Sequence, residues 1–398
     1  MTPAARVQAA IECLEQAVNA ARTGGAAADA IVQRYFSTRR YAGSKDRRAV
    51  RDLVFDVIRS IGTPPETGRA GLIGHARARA PELLDLFGSD GHAPPALVAG
   101  EPEARLSLAP GWQLDMLRTR FGKASDTQVA ALLERAPLDL RVNTIKASRE
   151  AVLAEVPELI ATALSPAGVR APAGLNVETL PAFHAGKIEV QDEGSQLAAL
   201  AVGVKPGDTV IDLCAGAGGK TLALAALMQG QGRLIASDTD RGRLSALPQR
   251  LARAGVENVE IRLLDPRREA SALADLAGLA DHVLVDAPCS GTGTWRRNPE
   301  ARWRLTPERL TKLEGEQDRL LALAATLVRP GGVLTYVVCS LLPAEGEARV
   351  AALLATTAEF VPAPFCIPGA DVSVATHVLS PGDQGCDGFF IARLQRVC

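Results

Sequence analysis

The sequence predicts an α/β fold organised around a doubly wound, mostly parallel sheet. Three observations predict it. From about Val190 to the C-terminus, short apolar runs alternate with stretches of helical period. The runs end on carboxylates or thiols, the edge at which such sheets bind their ligands. A glycine-rich turn follows the first run, where a strand must give way to a helix close to a ligand.

The elements follow in order. "DTVIDLC" (Asp208 to Cys214) reads as a buried strand, "AGAGGKT" as the turn and "LALAALM" as the helix after it. "RLIASD" (Arg233 to Asp238) is the second strand, and "LSALPQRLARAG" a helix interrupted by Pro248. Then come the strand "VEIRLLD", a helical "REASALADLAG", and the strand "HVLVDAP". A helix opened by Thr306 and Pro307 and the strand "GVLTYVVCS" complete the pattern.

The chain before Val190 has a different texture. "AVRDLVFDVIRSI" and its neighbours carry helical periodicity and almost no strand signal. Proline, glycine and acidic residues break any period across Gly88 to Trp112. After that, "WQLDMLRTRFG" and "TQVAALLERA" read as helices, "PLDLRVNTIK" as a strand and "SREAVLAEV" as a helix. The expected organisation is therefore a helical domain over 1–90, a linker over 91–111, a small α/β subdomain over 112–189 and a main domain over 190–398.

Bulk composition excludes several classes. With 47% hydrophobic and 22% charged residues the chain is neither disordered nor fibrous. No apolar run approaches the roughly 18 residues that span a bilayer, and the charged N-terminus lacks a signal-peptide core. The expectation is a cytoplasmic protein without a membrane partner, monomeric by default. Seven cysteines (Cys13, Cys214, Cys289, Cys339, Cys366, Cys386 and Cys398) form no CxxC pair, and there are only five histidines. A disulfide framework or a metal site is not expected. Net charge is −1, but Met1 to Thr63 holds ten Lys/Arg against six Asp/Glu, concentrated in "STRRYAGSKDRRAVR". That stretch is either a solvated helix face or a phosphate-contacting patch.

The residues at the strand ends are Cys214 to Thr221, Asp238, Asp265, Asp286 and Cys339. The loop Cys214, Ala215, Gly216, Ala217, Gly218, Gly219 and Lys220 fits neither GxGxxG nor the Walker spacing. Its glycines let a ligand approach the backbone. Asp238 follows Gly216 by twenty-two residues and ends the second strand, where a carboxylate accepts from ribose hydroxyls. With Asp265 at the third strand's end, this reads as an adenosine site. Both a nicotinamide dinucleotide and S-adenosyl-L-methionine carry adenosine; the cysteines beyond it are not a hydride-transfer constellation.

Four motifs, "DLCAGAGGKT", "DAPCSGTGTWRRNPEARW", "YVVCSLLPAEGE" and "DGFFIARL", closely resemble those of the Nol/Nop/Sun family of RNA cytosine-C5 methyltransferases, over roughly Pro137 to Leu394. The helical N-terminus resembles the NusB-like RNA-binding domain that precedes the catalytic body in the bacterial ribosomal members. The resemblance implies a Rossmann-like class I methyltransferase domain with S-adenosyl-L-methionine as cofactor. One departure stands out: the family loop usually reads "APGGK", and here Gly216-Ala217-Gly218 supplies no proline.

The chemistry accounts for the thiols. Cytosine C5 becomes nucleophilic only after a thiolate adds to C6, and that addition needs a hydrogen bond or proton at N3. DNA cytosine methyltransferases use a "PC" cysteine, which would nominate Cys289. The family resembled here uses the later "TCS" cysteine, which implies Cys339 as nucleophile, Cys289 as resolving thiol or base, and Asp286 at N3. It further implies that Gly216, Gly218, Gly219 and Lys220 line the methionine and ribose, Asp238 the ribose hydroxyls and Asp265 the adenine amino group. Cys214 reads as structural within the same loop; Cys13, Cys366, Cys386 and Cys398 stay unassigned.

For the RNA, "TWRRNPEARWRL" interleaves Trp295 and Trp303 with Arg296, Arg297, Arg302 and Arg304, suited to stacking bases and pairing phosphates; a helix start with a core Trp303 is the alternative. The basic N-terminal patch and "LRVNT" (Leu140 to Thr144) would widen the footprint. The substrate expected is small-subunit ribosomal RNA, with transfer RNA as the alternative. A non-catalytic RNA-binding assembly factor is the competing class. A DNA methyltransferase would need a target-recognition domain after the thiol loop, where the sequence instead reads as the rest of the sheet.

Overall fold

The computed structural model describes residues 1–89 and 91–397; Asp90 and Cys398, the last an unassigned cysteine, lie outside the described residues. Its contacts divide the chain into one unit of Met1–Arg135 with Thr294–Pro307, and a second of Ala136–Gly293 with Glu308–Cys398.

The first unit is helical: α1 (Pro3–Thr23), α2 (Ala28–Ser37), α3 (Ser44–Ser60), α4 (Gly68–Arg79), α5 (Gly111–Phe121) and α6 (Ser125–Leu133). Helix α1 starts because the Thr2 hydroxyl accepts from Ala5 N and Pro3 fills the first turn, and it stops at Gly24 with φ 76°. Leu14 and Val18 on α1, Val50, Val54 and Ile58 on α3, and Leu72 and Ile73 form one buried cluster. Their spacing of three and four is the apolar stripe read from the sequence.

Thr294–Pro307 folds into this unit, and it corrects the RNA-stacking reading of "TWRRNPEARWRL". Trp295 and Arg302 are 0% exposed, Trp303 5% and Arg296 6%. Glu300 Oε1 accepts from Ala28 N, 3.0 Å, at the start of α2. Arg302 Nη2 donates to the carbonyls of Ile58, Arg59 and Ile61 at the end of α3, and Trp303 Nε1 donates to Ile61 O at 2.8 Å. An acid thus meets one helix's first N–H and a guanidinium another's last carbonyls, the polarity that the helix dipole favours. Arg304 donates to the carbonyls of Gly25 and Ala26. Buried Gln113 on α5 gives its amide to Arg302 O at 2.9 Å. That bond ties α5 to Thr294–Pro307 within the first unit.

The second unit opens with a four-stranded antiparallel sheet, β1 (Leu138–Val142), β2 (Ile160–Ala161), β3 (Gly168–Ala171) and β4 (Ile188–Val190), ordered β2-β3-β1-β4. Here the RNA reading of "LRVNT" is also corrected, since Leu140, Arg141, Val142 and Asn143 are buried. Asn143 Nδ2 donates to Gly186 O and Ala254 O, so the motif fastens this insert to the core.

The core follows: α7 (Glu193–Leu200), β5 (Thr209–Asp212), α8 (Gly219–Leu227), β6 (Arg233–Asp238), α9 (Arg241–Leu244), α10 (Leu247–Ala254), β7 (Val259–Leu263), β8 (Ala280–Asp286), α11 (Pro307–Leu327), β9 (Val328–Val338), α12 (Glu347–Thr356), β10 (Phe360–Pro362), β11 (Thr376–Leu379) and β12 (Phe389–Arg396). The sheet runs β10-β12-β9-β8-β5-β6-β7, with β5 to β9 parallel and β12 antiparallel to β9. On β5, Val210 and Ile211 enter different apolar clusters, so both faces of the sheet are covered. Pro248 begins a new helix, α10, rather than kinking one, because its missing N–H costs nothing in a first turn.

Candidate active site

The parallel strands β5, β6, β7 and β8 deliver their carboxyl ends to one edge. Asp212 closes β5, Asp238 closes β6, Asp265 follows β7, Asp286 closes β8, and Cys339 follows β9. Register then brings the two thiols together. Asp286 pairs with Val337 across β8 and β9, and Gly293 N donates to Cys339 O at 3.0 Å. Cys289 Sγ and Cys339 Sγ come to lie 3.3 Å apart.

Lys220, in the first turn of α8, points its ammonium across the loop to Asp286 Oδ2 at 2.7 Å and over the Phe389 ring at 5.2 Å. Burial would depress this lysine, but the Asp286 carboxylate, with Cys339 and Asp212, outweighs burial and holds it above the ordinary range. The ammonium therefore stays charged beside the thiols. The Cys289 thiol is pushed well up, first by its hydrogen bond to Cys339 and then by burial. Burial, aided by the surrounding carboxylates, raises Cys214 well above the thiol range, which suits a structural thiol.

The glycine loop is held by its neighbours. Gly216 and Gly218 take φ of 54° and 85°, values that favour glycine. Gly216 N donates to Asp238 Oδ2 and Asp240 N to Asp238 Oδ1, both at 2.7 Å. The predicted ribose carboxylate thus also shapes the loop. Asp265 is exposed at the end of β7, next to β6.

Three features were missed by the sequence reading. Asp212 reads in the sequence as part of a buried strand, yet its Oδ2 accepts from Thr221 Oγ1 at 2.7 Å and its Oδ1 is buried with no hydrogen-bond partner. Fully buried Glu345 joins the two thiol loops. It accepts from Ser290 N at 2.8 Å, Ser340 Oγ at 2.5 Å, Gln317 Nε2 at 3.0 Å and the Ser290 hydroxyl. The signal was present, six residues after Cys339 in "CSLLPAE", but nothing in one sequence separates it from a surface acid. Finally, Gly293 and Gly388 meet backbone to backbone: a Cβ on Gly293 would lie 2.1 Å from Gly388 O. This close approach explains the second glycine of "CSGTG" and the glycine of "CDGF".

The arrangement fits S-adenosyl-L-methionine better than a dinucleotide. Asp212, Asp238 and Asp286 converge with one lysine, a set that favours a cationic ligand over a pyrophosphate. The orphaned Asp212 Oδ1 awaits a donor. At Gly219, where α8 begins, nothing lies within 4 Å of a Cβ position, leaving room at a helix N-terminus for a carboxylate. Among the described residues no group of His, Cys, Asp and Glu is arranged to hold a metal ion, and no helix is long and apolar enough to cross a membrane.

Residues 199–395 match the family model for the 16S rRNA methyltransferase RsmB/F, and residues 109–178 match the ferredoxin-like domain of RsmF/B-like methyltransferases. The chain is similar to the probable ribosomal RNA small subunit methyltransferase B of Synechocystis, 36% identical over 301 residues, covering 72% of this chain and 67% of that protein. The ribosomal RNA small subunit methyltransferase B of Xylella fastidiosa is 34% identical over 307 residues, covering 72% and 68%. Among solved structures, PH0851 superposes with a TM-score of 0.80 at 26% identity over 100% of this chain and 99% of its own. A methyltransferase homolog protein from Pyrococcus horikoshii gives 0.61 at 27% identity over 71% and 93%. On these matches and on the sheet that carries its site, the chain belongs to the RsmB/F family of 16S rRNA methyltransferases.

Proposed function

We propose that this protein transfers a methyl group from S-adenosyl-L-methionine to C5 of a cytosine in small-subunit ribosomal RNA, through a covalent bond between the Cys339 sulfur and C6 of the base. The observation that carries this reading is the pair of thiols 3.3 Å apart, set beside the Lys220–Asp286 ion pair at the ends of adjacent strands.

When bound, S-adenosyl-L-methionine supplies an electrophilic methyl group. Asp238 and Asp265 hold the adenosine, the turn Cys214 to Gly219 passes along the methionine, and Asp212 offers its free oxygen to a donor. Cys339 is the attacking sulfur, with the Lys220 ammonium placed to stabilise the negative charge of the attacking thiolate. As the sulfur adds to C6, electron density moves toward N3, which takes up a proton from the Lys220–Asp286 pair, Asp286 being held in place by Lys220. C5 is then nucleophilic and takes the methyl group. Cys289 acts in release, as resolving thiol or as the base that takes the C5 proton; the C5–H electrons restore the C5–C6 double bond, the S–C6 bond breaks, and its electrons return to Cys339.

A base must be unstacked to meet these sulfurs, so the substrate is a loop, a single strand or an extruded nucleotide. The helical unit supplies RNA affinity through Arg40, Lys45, Arg47 and Arg48, which are exposed around Tyr41, itself 72% exposed. The relatives named small subunit methyltransferase B support ribosomal over transfer RNA, and a cytoplasmic location follows from that substrate.

The test incubates the full chain with tritiated S-adenosyl-L-methionine and, separately, unmodified 16S rRNA, 30S subunits and transfer RNA. Label appearing as 5-methylcytidine in the ribosomal RNA is the expected result. Label in transfer RNA reassigns the substrate, and RNA binding without label supports an assembly factor instead.

A further inference from the structure

Glu189 is a buried carboxylate on β4 of the antiparallel insert, far in sequence from the glycine loop. It pairs with Arg253 and, at 3.0 Å, with Arg250, both on α10. Arg250 then reaches on: its Nη1 donates to Ala217 O at 2.6 Å. One guanidinium therefore joins the insert to the middle of the cofactor loop.

That carbonyl is the part of the loop in most need of a holder. Gly216 and Gly218, on either side of Ala217, both take positive φ, and glycine has the most conformational freedom to lose. No proline ring limits the residue between them. Upstream, Gly216 N is fixed by Asp238, and downstream the Leu247 side chain occupies the place of a Gly218 Cβ. Ala217 O is gripped by Arg250, whose other arm is anchored on Glu189.

We propose that Arg250 is a positioning residue for cofactor binding, holding the loop in its binding conformation, with Glu189 orienting it from the insert. Neither side chain touches reacting atoms; both act through the Ala217 carbonyl. The proposal rests on the reading of this loop as the S-adenosyl-L-methionine site. It makes the insert part of the cofactor site's scaffold, so that displacing β4 weakens cofactor binding without disturbing the thiols.

The test uses the full chain as wild type, Arg250→Ala, Arg250→Lys and Glu189→Gln. Affinity for S-adenosylhomocysteine is measured by calorimetry, which needs neither RNA nor thiol chemistry, and melting temperature and steady-state kinetics are recorded alongside. Losing a charge-assisted bond at a preorganised loop is expected to weaken binding about tenfold in Arg250→Ala. KM for S-adenosyl-L-methionine should rise in parallel while kcat stays near wild type. Arg250→Lys, with a point charge that cannot serve both partners, and Glu189→Gln should fall between. A lower melting temperature with unchanged affinity would make Arg250 a stability clamp and overturn the proposal, as would a fall in kcat at unchanged affinity. If wild type itself fails to bind S-adenosylhomocysteine, the cofactor reading fails instead.

Discussion

Replacing Asp212 by asparagine should make the catalytic unit more stable at neutral pH. Asp212 is fully buried, and burial lifts its carboxyl to about 7, with Asp286 and Asp238 adding to the rise and the Thr221 hydrogen bond and Lys220 opposing it. An unfolded aspartate titrates near ~3.9, so between about pH 4 and about pH 7 the folded protein holds a proton that the unfolded chain has lost. Stability therefore falls as pH rises through that window and levels off above it. At about 1.4 kcal/mol per pH unit, the cost at pH 8 is on the order of 4 kcal/mol. Asparagine keeps an acceptor for Thr221 and removes the ionisation, so Asp212→Asn should recover much of that energy at pH 8 and none near pH 4. All three tryptophans (Trp112, Trp295 and Trp303) lie in the helical unit, so fluorescence is blind to the catalytic one. The assay is urea unfolding from pH 4.5 to 8.5, followed by labelling of the buried Cys386 thiol. Wild-type stability that does not decline across that range, with no gain in the asparagine variant, would refute the reasoning.

Three further outcomes follow from contacts described above. Arg302→Met keeps apolar volume but strips the α3 carbonyls of their donor, and should cost the helical unit about 2–3 kcal/mol, read by tryptophan fluorescence in urea; an unchanged midpoint would show that burying the guanidinium had cancelled its bonds. Glu345→Gln turns one acceptor arm into a donor facing the Ser290 and Ser340 hydroxyls, and should lower kcat at least about tenfold through displaced thiols; wild-type kcat would remove Glu345 from the positioning of the loops. Hydrogen peroxide should join Cys289 and Cys339 as a disulfide and abolish methyl transfer, with dithiothreitol restoring both thiols, because adjacent strand ends bring them within closing range; peptide mapping that finds both thiols free after treatment would contradict the 3.3 Å geometry.

The alternation of strands and helices after Val190 was legible because parallel strands buried on both faces leave continuous apolar runs, and their carboxyl ends named Asp238, Asp286 and Cys339 directly. What a single sequence hid was the partner of each polar residue. Arg302 and Trp303 look like an RNA-binding stripe until their hydrogen bonds to helix ends are seen, since charge and aromaticity read the same on a surface and in a cap. Asp212 vanished into a strand pattern. Glu345 looked like any surface acid, and the insert's "LRVNT" gave no sign that Asn143 spans to α10. The units, too, are discontinuous: no local signal marks Thr294 to Pro307 as belonging with the N-terminal helices.

In the proposed mechanism Cys339 attacks and Cys289 releases. Wild type, Cys339→Ala and Cys289→Ala should be incubated with S-adenosyl-L-methionine and 16S rRNA, and the products separated on denaturing gels. An RNA adduct should accumulate in Cys289→Ala and be absent in Cys339→Ala. An adduct that persists in Cys339→Ala and disappears in Cys289→Ala would contradict it and reverse the two roles.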